Sequence, residues 1–315
     1  MIQVENVTKK YGQRLAVDSL TFGVSRGEIL GFLGPNGAGK STMMNIITGY
    51  LSATEGTVTV DGHDILEEPA EAKRRIGYMP ELPPLYLEMT VQDYLSFVSD
   101  IKGVPRSRRR EGMDRAMELL RIADVRPRLI KNLSKGYKQR VGIAQALIGS
   151  PDVLILDEPT IGLDPQQIIE TRTLIRSLGR EHTVILSSHI LPEIAAVCDR
   201  VLIINRGKIV ASDTTANLSR GLSGESRLAV RVAGSEREVL AALRAVANVR
   251  KVESLGSRES GTVDASVEAP PSHDIRRGVF EAMAKAGYPI LSMRSQDLTL
   301  EEIFLNLITR EREDD

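Results

Sequence analysis

A glycine-rich segment near the start of the chain has the residue types and spacing that bind phosphate. It matches the pattern G-x4-G-K-[ST] and comprises Gly34, Pro35, Asn36, Gly37, Ala38, Gly39, Lys40, Ser41 and Thr42. Its glycines let successive backbone N–H groups surround a phosphate, and the N-terminus of a following helix adds partial positive charge. We expect the Lys40 ammonium to reach β- and γ-phosphates and the Ser41 hydroxyl to bind Mg2+.

Two adjacent carboxylates follow a short aliphatic run far downstream of this loop. Residues 153–156 read Val-Leu-Ile-Leu, and Asp157 and Glu158 follow directly. The run predicts a buried strand, whose carboxyl end lies at the edge where open α/β sheets bind ligands. We expect Asp157 to hold Mg2+, usually through water, and Glu158 to polarise the water that attacks the phosphate. With the glycine-rich loop, the pair predicts a nucleoside triphosphatase.

The elements that must position these residues are strands alternating with helices. A largely apolar run at residues 28–33 predicts the strand before the loop, and residues 40–50 predict the helix after it. Helical patterns at 90–121 and 165–178 and a strand pattern at 183–187 continue the alternation. The predicted fold class is therefore α/β, with a mostly parallel sheet.

A third motif narrows the class of triphosphatase. Residues 133–140 read Leu-Ser-Lys-Gly-Tyr-Lys-Gln-Arg. These residues resemble the signature of ABC ATPases. The resemblance extends over about residues 2–215 and includes the other motifs of that family in order: the phosphate loop, the acidic pair, the segment Gly-Leu-Asp that ends at Asp164, and His189. The usual signature of that family is LSGGQ, so Lys135 and Tyr137 depart from it.

This resemblance implies a fold and several further roles. It implies a P-loop NTPase ABC ATPase domain: a mostly parallel sheet, an antiparallel β subdomain and a helical subdomain. Tyr11 matches the aromatic position that stacks on adenine, and His189 matches the switch histidine at the γ-phosphate. Ser134 and Gly136 match signature residues that close over the nucleotide of a second subunit, and Asp164 matches the loop that couples the two sites. The implied cofactors are ATP and Mg2+, and one implied partner is a second copy of the chain.

One departure points to a subgroup. The family normally has Gln where this chain has Glu81, whose carboxylate keeps an oxygen for Mg2+ or water but adds negative charge near the triphosphate. This Glu and the LSKGY-type signature resemble ABC-2-type exporters and the gliding-motility-associated group, as does the segment at 298–304. The implied second partner is a separate membrane-spanning permease.

Composition excludes several other classes. The chain has 315 residues, 41 Lys and Arg and 42 Asp and Glu, so its formal net charge of −1 does not predict a nucleic-acid partner. The single cysteine, Cys198, excludes an internal disulfide and fits a reducing compartment. No apolar stretch approaches the ~20 residues that span a bilayer. We expect a cytoplasmic protein, peripheral on the inner face of the cell membrane.

The length predicts two domains. We assign residues 1–220 to the ABC ATPase nucleotide-binding domain and 221–315 to an accessory α+β domain of ferredoxin-like order, with a last helix at 300–309. Two alternatives remain open: a non-transport ABC ATPase of translation or DNA repair, and an importer ATPase subunit. The single phosphate loop and the 94 positions from Lys40 to Ser134, which leave no room for a long coiled coil, disfavour the first.

Overall fold

Two sheets form the framework of the first unit of the chain, Met1–Thr214. Its strands are β1 (Ile2–Tyr11), β2 (Arg14–Val24), β3 (Ile29–Leu33), β4 (Glu55–Val60), β5 (His63–Asp64), β6 (Ile76–Met79), β7 (Val153–Leu156), β8 (Thr183–Ser188), β9 (Arg200–Asn205) and β10 (Lys208–Asp213). Its helices are α1 (Lys40–Ile47), α2 (Pro69–Arg74), α3 (Val91–Ile101), α4 (Arg106–Leu119), α5 (Lys135–Leu147), α6 (Pro165–Leu178) and α7 (Leu191–Ala195).

The computed structural model describes residues 1–214, 217, 226–270 and 273–295. The second unit is Thr215–Asp315. The predicted domain boundary at residue 220, the segment at 298–304 and the predicted helix at 300–309 lie outside the described residues. They therefore stay predictions.

The six-stranded sheet has the order β10-β9-β3-β8-β7-β6 and carries the chemistry. All neighbouring strands are parallel except β10, which forms a hairpin with β9. The registers pair Leu33 with Ser188 and Met79 with Leu156, so β3, β6, β7 and β8 end at one edge. Strands β3, β7 and β8 are buried along their whole length, as expected of strands covered on both faces. The predicted parallel α/β sheet is confirmed.

An antiparallel sheet, in the order β2-β1-β4-β5, packs on this framework. One apolar cluster contains residues of both sheets and of α1 between them. Phe22 of β2 and Phe32 of β3 meet edge to face at 5.2 Å between ring centroids. This shared core fixes the position of α1, and thereby of the loop that precedes it.

A helical layer follows β6. Helix α3 begins after Thr90, whose hydroxyl accepts a hydrogen bond from the backbone N–H of Asp93 at 3.1 Å, as the capping pattern predicts. At the far end of α3, the Lys102 ammonium donates to the carbonyls of Gln145, Ala146 and Ile148 at 2.8, 3.1 and 2.9 Å. Lys102 thus caps the C-terminal end of α5, whose last carbonyls have no partner within the helix. Burial lowers the pKa of Lys102 to about 8.

Helix α7 lies directly against β3. A Cβ atom on Gly31 would lie 2.6 Å from Ile194 Cγ2 and 2.8 Å from Cys198 Sγ, so only glycine permits this close approach. Ile194 and Cys198 are both buried. Burial raises the pKa of the Cys198 thiol.

The second unit contains β11 (Ser226–Ala233), α8 (Glu236–Arg244), β12 (Lys251–Ser254), β13 (Thr262–Ala269), α9 (Arg276–Ala286) and β14 (Ile290–Ser295). Its sheet has the order β12-β13-β11-β14, and every pair is antiparallel. This is the strand order of the predicted ferredoxin-like arrangement. Across the residues described in both units, no helix is long and apolar enough to cross a membrane.

Candidate functional site

The phosphate loop lies at the carboxyl end of β3 and leads into α1. Gly37 and Gly39 have φ angles of 82° and 107°, which place them in the left-handed region. Alternation of this region with right-handed residues turns successive N–H groups to one side and creates an anion-binding concavity. Gly34 is required for a different reason, because a Cβ there would lie 2.3 Å from the carbonyl oxygen of Ile204.

Three predicted residues form a chain of charged contacts beside the loop. Lys40 Nζ donates to the carbonyls of Gly34 at 2.8 Å and Pro35 at 3.3 Å, and lies 3.5 Å from Glu158 Oε1. The other Glu158 oxygen lies 3.0 Å from Nδ1 of His189. Lys40 and Glu158 are buried, whereas His189 is partly exposed. The structure therefore brings the lysine, the carboxylate and the histidine together.

The acidic pair is held by a serine on the neighbouring strand. The Ser187 hydroxyl donates to Asp157 Oδ1 and accepts from the backbone N–H of Glu158 at 2.9 Å. Glu158 itself has a φ of 47°, an uncommon conformation for a non-glycine residue that occurs at functional sites. Ser187 thus fixes one oxygen of Asp157 and leaves the other for a ligand.

A cleft of about 460 Å³ opens over these residues. Its lining includes predicted residues from five segments: Tyr11, Asn36, Gly37, Gly39, Lys40, Ser41, Thr42, Glu81, Glu158 and His189. Tyr11, about half exposed at the end of β1, contributes an aromatic face to the rim. Arg14, which the sequence analysis did not single out, also lines the cleft. Its Nη2 is 4.0 Å from the Cβ position of Gly37.

Gly34, Pro35, Ala38 and Asp157 are not part of this lining, and the three other predicted residues line a separate cleft of about 560 Å³. It contains Ser134, Gly136 and Asp164. Ser134 caps α5 by accepting from the N–H of Tyr137 at 3.4 Å, and Asp164 caps α6 by accepting from Gln167 at 2.9 Å. The linings of the two clefts share no residue. Within one chain, Ser134, Gly136 and Asp164 therefore lie in a different cleft from the phosphate loop.

The two departures from the usual signature have local partners. The Tyr137 hydroxyl donates to Asp124 at 3.1 Å. The Lys135 ammonium lies over Gly162, where a Cβ would be 1.9 Å from it. Gly162 has a φ of 67°, in the left-handed region that favours glycine. Lys135 links the signature directly to the segment that ends at Asp164.

The donor set suits Mg2+ rather than a metal bound by side chains alone. Among the described residues, no group of three or more His, Cys, Asp or Glu is arranged to hold a metal ion. Mg2+ requires few protein ligands, because it keeps several waters and binds substrate phosphates. The Ser41 hydroxyl and the second oxygen of Asp157 are hard donors of the required kind, and Glu81, which lines the cleft with Ser41, is a third candidate.

Comparison with known proteins supports the same interpretation. Residues 17–161 match the family model described as ABC transporter. The linearmycin resistance ATP-binding protein LnrL of Bacillus subtilis is 34% identical over 319 residues, covering 98% of this chain and 99% of LnrL. The chain belongs to the ABC transporter ATP-binding proteins.

Other relatives share the ATPase part. The bacitracin transport ATP-binding protein BcrA of Bacillus licheniformis is 40% identical over 212 residues, or 67% of this chain and 68% of BcrA. Among solved structures, the dimeric ATP-binding cassette MJ0796 in a post-hydrolysis state with ADP and Pi has a TM-score of 0.62. It is 25% identical, with 68% of this chain and 98% of that chain covered. The predicted P-loop ABC ATPase fold is confirmed.

For an ABC ATPase, the arrangement offers what phosphoryl transfer needs. The loop N–H groups and Lys40 provide positive potential, and Glu158 and His189 lie together beside them. Sequence reasoning missed Ser187 and Arg14. A signal for Ser187 was present in the Ser-Ser-His sequence that ends at His189, but its contact with Asp157 depends on the pairing of β7 with β8.

Proposed function

We propose that this chain is the ATP-hydrolysing subunit of an ABC exporter and that it powers transport through a separate membrane-spanning permease. The chain is an ATPase by family, and its relatives include proteins named for resistance to linearmycin and transport of bacitracin. The observation that carries the proposal is the contact chain from Lys40 through Glu158 to His189 at the rim of the cleft.

In the proposed reaction, Glu158 accepts a proton from the attacking water, and His189 orients Glu158 and contacts the γ-phosphate. Lys40 exchanges its loop carbonyls for phosphate oxygens. Tyr11 stacks on the adenine. Ser41, Asp157 and Glu81 would hold Mg2+, which would supply positive charge to stabilise the triphosphate.

The proposed working form is a homodimer. Ser134, Gly136 and Asp164 line a cleft of their own, so they can serve a nucleotide only if a second copy presents them to the phosphate loop. The dimeric state named for MJ0796 supports this arrangement. Two composite sites would then lie between the two copies.

The proposed permease contact is the apolar segment after Glu81, residues 82–89. Leu82 is 83% exposed, whereas Tyr86 packs edge-on against Phe97 with ring centroids 5.2 Å apart. An exposed leucine directly after a residue of the nucleotide cleft would let nucleotide state alter the permease contact. Such docking places the protein on the inner face of the cell membrane.

The change Glu158→Gln tests the proposed roles. The amide keeps the size of the side chain but cannot accept the proton, so ATP binding persists while hydrolysis falls by about 100-fold or more. ATP should then hold the variant as a dimer on a sizing column. Turnover near that of the wild type would remove Glu158 from the role of base.

A further inference from the structure

Glu193 is a buried carboxylate that no step of the proposed hydrolysis uses. It lies in the first turn of α7 and is 4% exposed. Its Oε2 atom accepts hydrogen bonds from the hydroxyls of Thr160 and, at 3.3 Å, Ser188. Both donors are neutral. Burial of a carboxylate costs solvation free energy, which hydrogen bonds must offset. The hydrogen-bond donors to Glu193 lie next to the reacting groups in the chain.

The two hydroxyls belong to the two turns that carry the catalytic pair. Thr160 follows Glu158 by two residues in the turn after β7, and Ser188 precedes His189 at the end of β8. The Ser188 oxygen also accepts from the backbone N–H of Ile190 at 3.0 Å. We call these residues, Thr160, Ser188 and Glu193, the hydroxyl–carboxylate clamp. The clamp joins the two turns behind the 3.0 Å contact between Glu158 and His189.

The clamp is attached to a fixed point of the fold. Glu193 donates its N–H to the carbonyl of Ile190 at 3.1 Å, and the next residue, Ile194, is fully buried against Gly31 of β3. Strand β3 leads into the phosphate loop. Glu193 therefore connects the turns after β7 and β8 to β3, the strand that precedes the phosphate loop.

We propose that Glu193 is a positioning residue for ATP hydrolysis. It touches no substrate, and it acts through Thr160 and Ser188 on the placement of Glu158 and His189. The inference rests on the roles proposed above for that pair. A displacement of about 1 Å at reacting groups can cost about 100-fold in rate, so a clamp on two turns affects turnover more than binding.

Three single variants separate positioning from general stability. Thr160→Val removes one hydroxyl at nearly constant shape, Glu193→Ala removes the acceptor, and Glu193→Gln keeps an acceptor oxygen. We expect Thr160→Val and Glu193→Ala to lower kcat by about 10-fold or more, while KM and equilibrium ATP binding change less than about 3-fold. Glu193→Gln should retain at least about a third of kcat. The double variant should be no slower than Glu193→Ala alone, because the residues act as a unit.

Matched controls are Thr173→Val on α6 and Glu118→Ala on the exposed side of α4, both of which should keep wild-type kcat. The inference is overturned if Thr160→Val keeps full turnover, or if kcat, ATP binding and thermal midpoint fall together in Thr160→Val. It is also overturned if Glu193→Gln is as slow as Glu193→Ala.

Measured beside these variants, Glu158→Gln shows which proposal has failed. An inactive Glu158→Gln with a fully active Thr160→Val contradicts only the clamp. An active Glu158→Gln contradicts the proposed function, and the clamp with it.

Discussion

The Lys40 ammonium has several partners within the protein. Its ammonium contacts two loop carbonyls and lies 3.5 Å from Glu158. We expect a triphosphate that enters the loop to replace these acceptors with its own charged phosphate oxygens.

The carboxylate of Glu81 is expected to link metal and nucleotide binding. Glu81→Gln removes a negative charge from the cleft and a good Mg2+ ligand. ATP binding without Mg2+ should therefore tighten by about 3-fold or more, while the Mg2+ concentration for half-maximal hydrolysis rises by about 3- to 10-fold. Fluorescent-nucleotide binding and Mg2+ titrations of turnover measure the two effects.

Glu67→Gln, at an exposed position outside the cleft, is the control for this change and should alter neither value. An unchanged Mg2+ requirement in Glu81→Gln would exclude Glu81 as a metal ligand.

At the scale of elements, the parts of the site that could be predicted are those encoded in one continuous segment. The phosphate loop needs only its glycines and the helix after it, and the acidic pair needs only the strand before it. Ser187 and Arg14 could not be assigned in this way. Ser187 reaches Asp157 because β8 lies beside β7, and Arg14 reaches the cleft because the turn after Tyr11 approaches the loop. The first contact depends on strand pairing and the second on the packing of one sheet against the other, and neither is encoded in local sequence.

The cap formed by Lys102 on α5 makes stability depend on pH. Burial lowers its pKa from 10.5 to about 8, so between these values the unfolded chain binds more protons than the folded one. Below pH 8, Lys102 is protonated in both the folded and the unfolded protein, and the folded protein bears the full free-energy cost of burying the charge. As the pH rises above 8, Lys102 loses its proton in the folded protein and this cost disappears. The free energy of unfolding of the wild type, minus that of Lys102→Met, should therefore increase from pH 8 to 10.5, by at most about 3 kcal/mol.

Urea unfolding of both proteins over this pH range measures the difference. Lys285→Met, at an exposed position, should give curves parallel to the wild type. Parallel curves for Lys102→Met would show that Lys102 keeps an ordinary pKa in the folded protein.

At the scale of the whole molecule, the two clefts predict that hydrolysis requires two copies. Specific activity should rise with protein concentration until the dimer is saturated, because the proposed dimer needs Ser134 and Gly136 of one copy at the nucleotide of the other. Turnover assays beside sizing at the same concentrations measure this relation. Constant specific activity down to concentrations at which only monomer is present would contradict a composite site.

Mixing two inactive variants provides the control for this prediction. Lys40→Ala disables the phosphate loop but leaves the signature residues intact. Ser134→Arg disables the signature but leaves the phosphate loop intact. At equal amounts, half of the dimers are mixed and have one intact site of two, so roughly a quarter of wild-type activity should return. Each variant on its own should stay inactive.

The close packing of α7 and the residues after it on β3 makes Cys198 a natural chemical probe of local opening. Cys198 is the only thiol in the chain, and it is buried against the place where Gly31 lacks a side chain. Because burial also raises the pKa of the thiol, it stays protonated and out of reach of alkylating reagents at neutral pH. The rate at which a maleimide modifies the native protein therefore reports on openings that expose Cys198, just after α7, to solvent, without any engineered label.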